Sequence, residues 1–228
     1  MTFLLPKAPD PRPRPGLRER KRAAAIRHIQ SVALDLFDRD GFDRVTVEQV
    51  AEAAEVSPSS IYRYFATKEG LIVHDEFDAP ILAAVRRHLA DHDVIAALEL
   101  ALEEVGVTHL VDDGGLSLRR MPYLLHVPSV RSEVFLAVDD AVALLADELA
   151  TPGRRPSRDP VVARAVAAAA IWAIIGAMTA WYTGGTRGSV LDAVSAGLAS
   201  LRCLDESSQQ PAGTTLEPRG ASCRGTRR

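Results

Sequence analysis

The chain has 228 residues, 47% hydrophobic and 25% charged, with a net charge of -3 and two cysteines. Such a length and composition suit one large or two modest globular domains whose core needs no metal or disulfide staple, and they exclude a protein that coats nucleic acid indiscriminately, so any basic surface must be local. Cys203 and Cys223 stand near or within the polar C-terminal end without zinc-type spacing, which excludes a zinc module and points to a reducing, cytoplasmic setting.

Residues 1–17, MTFLLPKAPDPRPRPGL, read as a disordered arm. Phe3 to Leu5 is too short an apolar piece for the core of a signal peptide, and five prolines follow it. Arg12, Arg14, Arg18, Arg20, Lys21, Arg22 and Arg27 face only Glu19, so this end could lie along DNA phosphates or reach into a minor groove. A merely solvated extension is the other reading. A first helix is predicted from about Arg18 to Arg39, with Ala25, Ile26, Ile29, Ala33, Leu36 and Phe37 as its buried stripe and Gly41 as a left-handed C-cap.

The stretch from Arg44 to Leu71 carries the strongest local signals. Thr46 followed by Gln49 is a capping box, so a helix starts at about Val47, and Val47, Val50, Ala51 and Ala54 give it one apolar face. Ser57 offers an N-cap and Pro58 a preset first-turn residue, so a second helix starts after a turn of a few residues. Ile61 and Phe65 anchor that helix, which leaves Ser59, Ser60, Tyr62, Arg63 and Tyr64 around its start and outer faces. Thr67 marks the next N-cap. Two helices crossing through a short turn, the second bearing short hydroxyls, aromatics and an arginine, have the build of a DNA-reading helix-turn-helix. The helix must be slim enough for the major groove and its side chains directional enough to reach base edges and phosphates. On these markers alone, a helical hairpin in any all-helical protein also fits.

TVEQVAEAAEVSPSSIYRYFATKEGL resembles the operator-binding signature of the TetR family of transcriptional regulators, T-V-x-x-I-A-x-x-A-G-V-S-x-x-x-[IL]-Y-x-[YH]-F-x-[SN]-K-x-x-L. The likeness runs upstream through LDLFDRDGFDRVT and covers roughly a quarter of the chain. It implies DNA contacts by Thr46, Ser57, Ser59, Ser60, Tyr62, Arg63, Tyr64 and Lys68. Thr46, Tyr62, Tyr64 and Lys68 would mostly hold phosphates, whereas Ser59, Ser60 and Arg63 are better placed for bases. One departure is Glu55, where the family usually has Gly. If that position needs positive φ, Glu carries a Cβ penalty.

From Leu71 the pattern changes to long amphipathic helices. Leu71, Ile72, Ile81, Leu82, Val85 and Leu89 suggest a connecting helix kinked or broken near Pro80. A helix from about Asp93 to Val111 follows, then a short one from Leu116 to Val127 interrupted by Pro122, then one from Pro128 to about Ala150, and Thr151 to Asp159 is a loop. The 22 residues between Arg164 and Arg187 carry no charge, enough to span a bilayer. They are dominated by Ala, contain no Leu and end in Thr183, Gly184 and Gly185, a composition that suits a helix buried on both sides better than a membrane span. With a helix from Val190 to Leu201 they form a hairpin, and two such hairpins, about 160–182 and 188–202, related by a twofold axis make a four-helix homodimer interface.

The expected fold is therefore all-α: a disordered arm (1–17), a three-helix headpiece (18–66), a larger helical ligand-binding and dimerisation domain (67–204) and a disordered polar tail (205–228). The resemblance implies a homodimer on palindromic double-stranded operator DNA, a repressor by family habit, released by a small-molecule effector. RRMPYLLHVPSVRSEVFLAVDDAVALLADELA and RDPVVARAVAAAAIWAIIGAM resemble more loosely a subgroup with an acyl-CoA-like ligand domain, whose apolar tunnel Met121, Tyr123, Leu125, Phe135, Trp172 and Met178 could line. Each of these, taken singly, is more often ordinary core. No catalytic, nucleotide or metal motif stands in the chain, so neither enzyme activity nor a cofactor is expected. The rival reading is a helical dimer whose headpiece binds a protein, which added salt would not weaken steeply as it weakens DNA binding.

Overall fold

The computed structural model describes residues 16–75, 78–112, 115–151 and 159–208. Expectations for the arm up to residue 15, including Arg12 and Arg14, for the loop at 152–158 and for the tail beyond 208 lie outside the described residues. Within the described residues the regular structure is all helical, with ten α-helices and one 3-10 turn.

Helix α1 (Leu17–Asp40) buries Ile26, Ile29, Ala33 and Phe37, as the spacing predicts, and also Leu34, while Ala25 and Leu36 stay half-buried. Gly41 follows at φ 89, ψ 140. The positive φ favours glycine, but this ψ lies outside the left-handed helical well, so Gly41 swings the chain outward into the 3-10 turn Phe42–Arg44 instead of forming the expected left-handed cap. Helix α2 (Val47–Ala53) then packs on α1, and α3 (Pro58–Phe65) packs on α2. Their inner residues Val47, Val50, Ala51, Ile61 and Phe65 join the α1 stripe in one core.

That core does not stop at residue 66. Leu71 and Ile72 of α4 (Gly70–Val73) are fully buried in it, Val130 of the C-terminal half closes it, and Tyr123 and Leu124 pack on its edge. Helix α4 is only four residues long because its end is held by side chains. The buried Gln30 amide donates to the carbonyls of Leu71 (3.2 Å) and His74 (2.9 Å), and the Arg120 guanidinium donates to the His74 carbonyl (2.7 Å) and to Asp75 (3.0 Å). Carbonyls left open where a helix ends are thereby satisfied, and a cation sits where the helix dipole favours one. The chain breaks there, ahead of Pro80, which lies in the first turn of α5 (Asp78–His88).

Helices α5, α6 (Val94–Asp112), α8 (Pro128–Ala150), α9 (Pro160–Thr183) and α10 (Val190–Ser208) build a second core. Helix α9 packs against both α8 and α10, burying Ala163, Ala167 and Ala170. Small residues allow close approach: a Cβ added at Gly197 would meet the Ala177 Cβ at 2.9 Å. With 24 residues and a mean hydropathy of 2.0, α9 is long and apolar enough to cross a membrane, yet here it is one rod of a bundle, with Arg164 paired to Asp139 on α8. Helix α10 runs to Ser208, past the residue at which the tail was expected to start. Helix α7 (Leu116–His126) continues through Pro122 rather than breaking. The carbonyl freed by that proline belongs to Leu118, an exposed residue, so water can satisfy it.

Candidate nucleic-acid interface

The candidate reading helix is held by a turn that the local sequence dictates. In α2 the Thr46 hydroxyl accepts the Gln49 backbone N–H (3.2 Å) and the Gln49 side chain accepts the Thr46 N–H (2.9 Å), a complete capping box. At the other end the Val56 N–H reaches the Ala51 carbonyl (2.9 Å) and the Glu55 N–H reaches the Glu52 carbonyl (3.1 Å), with Glu55 at φ 55. This is a Schellman motif with glutamate at the position that favours glycine. Helix α3 begins one residue later, its Ser57 hydroxyl accepting the Ser60 N–H (3.2 Å). The Ser57, Ser59 and Ser60 hydroxyls lie within 2.9 Å of one another through Ser57, a polar cluster at the positive end of the helix.

Burial of Ile61 and Phe65 fixes which way α3 faces. The line opposite them carries Ser59 and Arg63, both exposed, while Tyr62, 49% exposed, stands on one flank and the half-buried Ser60 and Tyr64 on the other. Arg63 does not extend freely. Its guanidinium lies 4.9 Å from the Tyr64 ring centroid and donates to the Tyr64 hydroxyl (3.3 Å). Thr46, at the start of α2, is exposed.

Lys68 occupies a different position from the one expected of a free phosphate ligand. Its ammonium donates to the carbonyls of Phe42 (2.9 Å) and Val45 (3.2 Å) and sits 4.3 Å over the Phe42 ring. Two of its three N–H donors thus tie the start of α4 to the segment before α2. Thr67, expected as the N-cap of the next helix, accepts the Gly70 N–H (2.9 Å) and so closes the turn leading into α4, while the residue at the N-cap of α4 itself is Glu69.

Sequence reasoning only half found the opposite wall of the site. The first turns of α1 and the flank of α3 enclose an open cleft of about 760 Å³ lined by Arg18, Lys21, Arg22, Arg63 and Tyr64. Arg22 also approaches the Tyr64 ring, at 6.0 Å.

The six residues suggested as a ligand tunnel are not brought together. Met121 is buried and Leu125 half-buried, one turn apart on α7. Tyr123 instead packs on Phe37 and Phe42 of the headpiece, with ring centroids at 5.9 and 6.2 Å. Phe135 and Trp172 pair at 5.5 Å on an exposed face of α8 and α9, and Met178 is exposed too. The helical period placed these side chains on faces, but which face turned inward depended on neighbours distant in the chain.

One junction had no sequence signal. Arg119 of α7 pairs with Asp35 (2.8 Å) and Asp38 (2.6 Å) of α1, and the Tyr123 hydroxyl donates to Asp38 (2.5 Å). Burial alone would raise the Asp38 pKa, but the hydrogen bonds from Tyr123 and Arg119, with the arginine charge, hold it below the ordinary carboxylate value. Burial and the same contact with Asp38 raise the Tyr123 pKa, keeping the phenol protonated as the donor. Asp35 and Asp38, and Arg119 and Tyr123, each share a helix face. Nothing within either helix identifies the other as its partner.

Residues 29–74 match the family described as bacterial regulatory proteins, tetR family, and residues 92–203 match the MftR C-terminal domain. The chain is 34% identical over 127 residues to the HTH-type transcriptional regulator TcmR of Streptomyces glaucescens, a stretch covering 52% of this chain and 56% of TcmR. The chain thus spans little more than half the length of that relative. Among solved structures it resembles a SmeT–triclosan complex (TM-score 0.51, 14% identity, 78% of this chain and 91% of that one). It also resembles FadR of Thermus thermophilus in complex with lauroyl-CoA (TM-score 0.50, 19% identity, 86% and 100%). At these identities the likeness is one of fold.

Proposed function

Because this chain belongs to the tetR family of bacterial DNA-binding transcriptional regulators, which are not enzymes, we propose that it is a homodimeric repressor, acting in the cytoplasm, that leaves a palindromic operator when a small apolar effector binds. The observation that carries this reading is the outward line of α3. Ser59 and Arg63 lie opposite the buried Ile61 and Phe65, behind a serine cluster at the positive helix end. Ser59, Ser60 and Arg63 read base edges, Arg63 by swinging off Tyr64 toward a purine. Thr46, Ser57, Tyr62 and Tyr64 meet phosphates, and Lys68 adds its one remaining N–H.

The dimer is favoured by α9, whose far side leaves Val161, Trp172 and Met178 exposed beside an otherwise alanine-rich surface. A twofold mate covering this face with α9 and α10 would set two reading helices about one helical turn of DNA apart, about 34–36 Å. An effector entering the C-terminal bundle would act through α7, where Met121 and Leu125 lie beside the side chains that grip the headpiece: Arg119 and Tyr123 on Asp38, Arg120 on the end of α4. Shifting α7 changes headpiece spacing and so the fit to two half-sites. FadR is solved with lauroyl-CoA and SmeT with triclosan, which supports an apolar effector such as a long-chain acyl-CoA.

The test is selection from random duplexes, then competition with candidate effectors. A palindromic site is expected, with affinity falling steeply as salt rises. Tyr62→Ala should weaken binding to every duplex alike, whereas Arg63→Ala should change the preferred bases. Equal loss on all sequences from Arg63→Ala would defeat its base-reading role, and salt-insensitive binding to a protein alone would favour an interaction module instead.

A further inference from the structure

Two side chains from distant parts of the chain meet the buried ring of Phe42. Lys68, three residues past the end of α3, sets its ammonium 4.3 Å over the ring centroid and donates to the carbonyls of Phe42 and Val45. Tyr123, on α7, packs its own ring at 6.2 Å, and Phe37 completes the cluster at 4.9 Å from Phe42 and 5.9 Å from Tyr123. Close-packed interiors transmit displacement, so a shift of α7 reaches Phe42.

What Lys68 holds is the end of the reading helix. Between Phe65 and Thr67 the chain makes a γ-turn, with Ala66 at φ 60, ψ -46 and the Thr67 N–H on the Phe65 carbonyl at 2.7 Å. That conformation is strained for an L side chain and persists only where its surroundings hold it. Lys68 follows at once, and its two bonds to carbonyls, with the cation–π contact, tie the turn to residues 42–45. Loss of the tie frees the end of α3.

We propose that Phe42 relays the position of α7 to the end of the reading helix, with Tyr123 and Lys68 as positioning residues at its two ends. Resting on the DNA-binding reading, this adds a second mode of release: movement of α7 spoils base contacts within each headpiece, apart from any change in the spacing of two headpieces. The relay runs through the turn before α2 and not through the end of α4, where Arg120 acts.

Coupling energy, not contact, defines such a route, so the test is a double-mutant cycle on the full chain. The quantity read is the ratio of affinities for a selected operator duplex and a random duplex. Any phosphate contact of Lys68 is common to both and cancels. Lys68→Met and Tyr123→Met should each lower this ratio about tenfold, the scale of one misplaced base contact, and the double variant should lose no more than either alone. Tyr123→Phe keeps the ring and removes only the hydroxyl bonded to Asp38, so it should keep the wild-type ratio. On duplexes with the half-sites moved one base pair closer or farther, each loss should be the same factor. Lys68→Met changes a half-buried side chain outside both cores, so it decides the matter even where Tyr123→Met fails to fold. Unchanged ratios, losses that multiply in the double variant, a Tyr123→Phe loss equal to that of Tyr123→Met, or variants that merely prefer another spacing would overturn the proposal. A wild type with no preference among duplexes would instead overturn the DNA-binding reading beneath it.

Discussion

Replacing Gly70 with alanine tests how the reading helix is held in place. A Cβ on Gly70 would stand 1.9 Å from the carbonyl oxygen of Phe65 and 3.2 Å from the Thr67 hydroxyl, where real Cβ contacts essentially never fall under 3.0 Å. The two must separate by about 1 Å, and the oxygen cannot yield by a rotamer change because it belongs to the backbone of the last residue of α3. It is also fixed locally: the Thr67 N–H donates to it at 2.7 Å across Ala66, which is held at φ 60. The end of α3 therefore moves away from α4, at a cost of about 1–3 kcal/mol by analogy with other overpacked sites. Both tryptophans, Trp172 and Trp181, lie in α9, so fluorescence follows the C-terminal core while circular dichroism follows both cores. In urea, Gly70→Ala should leave the tryptophan transition in place and shift part of the dichroism transition to lower denaturant. Operator affinity should fall with it, since a displacement of this size spoils the geometry of base contacts. Coincident wild-type transitions with unchanged affinity would refute the claim that the contact between Gly70 and Phe65 sets the position of α3.

Three further outcomes are expected. Glu55→Gly should stabilise the headpiece by about 0.5–1 kcal/mol, because relief of the penalty for a side chain at φ 55, roughly 1–2 kcal/mol, exceeds the added chain entropy of glycine; a lower melting temperature would show that Glu55 earns its place by a contact. Asp38→Asn should destabilise the protein at pH 7 by about 1 kcal/mol or less after solvent screening. A carboxylate with a lowered folded-state pKa adds stability above its unfolded value and loses it as pH falls through the folded value, so the gap between wild type and variant should start to narrow below about pH 4 and close only once pH is below the folded value. A gap that does not narrow at all as pH falls below about 4 in acid denaturation would count against the junction with Arg119 and Tyr123. Gly197→Val should force α10 from α9, where even one added carbon meets Ala177 at 2.9 Å, and should lower the tryptophan-monitored transition without altering the headpiece.

The chain by itself determined the parts of this protein whose causes lie within about five residues. The capping box of Thr46 and Gln49, the Ser57 and Pro58 start of α3 and the turn closed by Thr67 depend on neighbours in sequence, so their chemistry could be named from the letters alone, whereas the positive φ at Glu55 was raised only as a condition by the family resemblance. The apolar spacing likewise marked the stripe on α1 and the inner residues of α2 and α3. What only tertiary structure decided depends on partners far along the chain. Lys68 found acceptors at Phe42 and Val45, Gln30 was buried to close the end of α4, Tyr123 turned to the headpiece, and Arg18, Lys21 and Arg22 came to face Tyr64. Helical periodicity states which side chains share a face, but it carries no label for the surface that face will meet. That choice is made by packing complementarity between helices that the sequence leaves tens of residues apart.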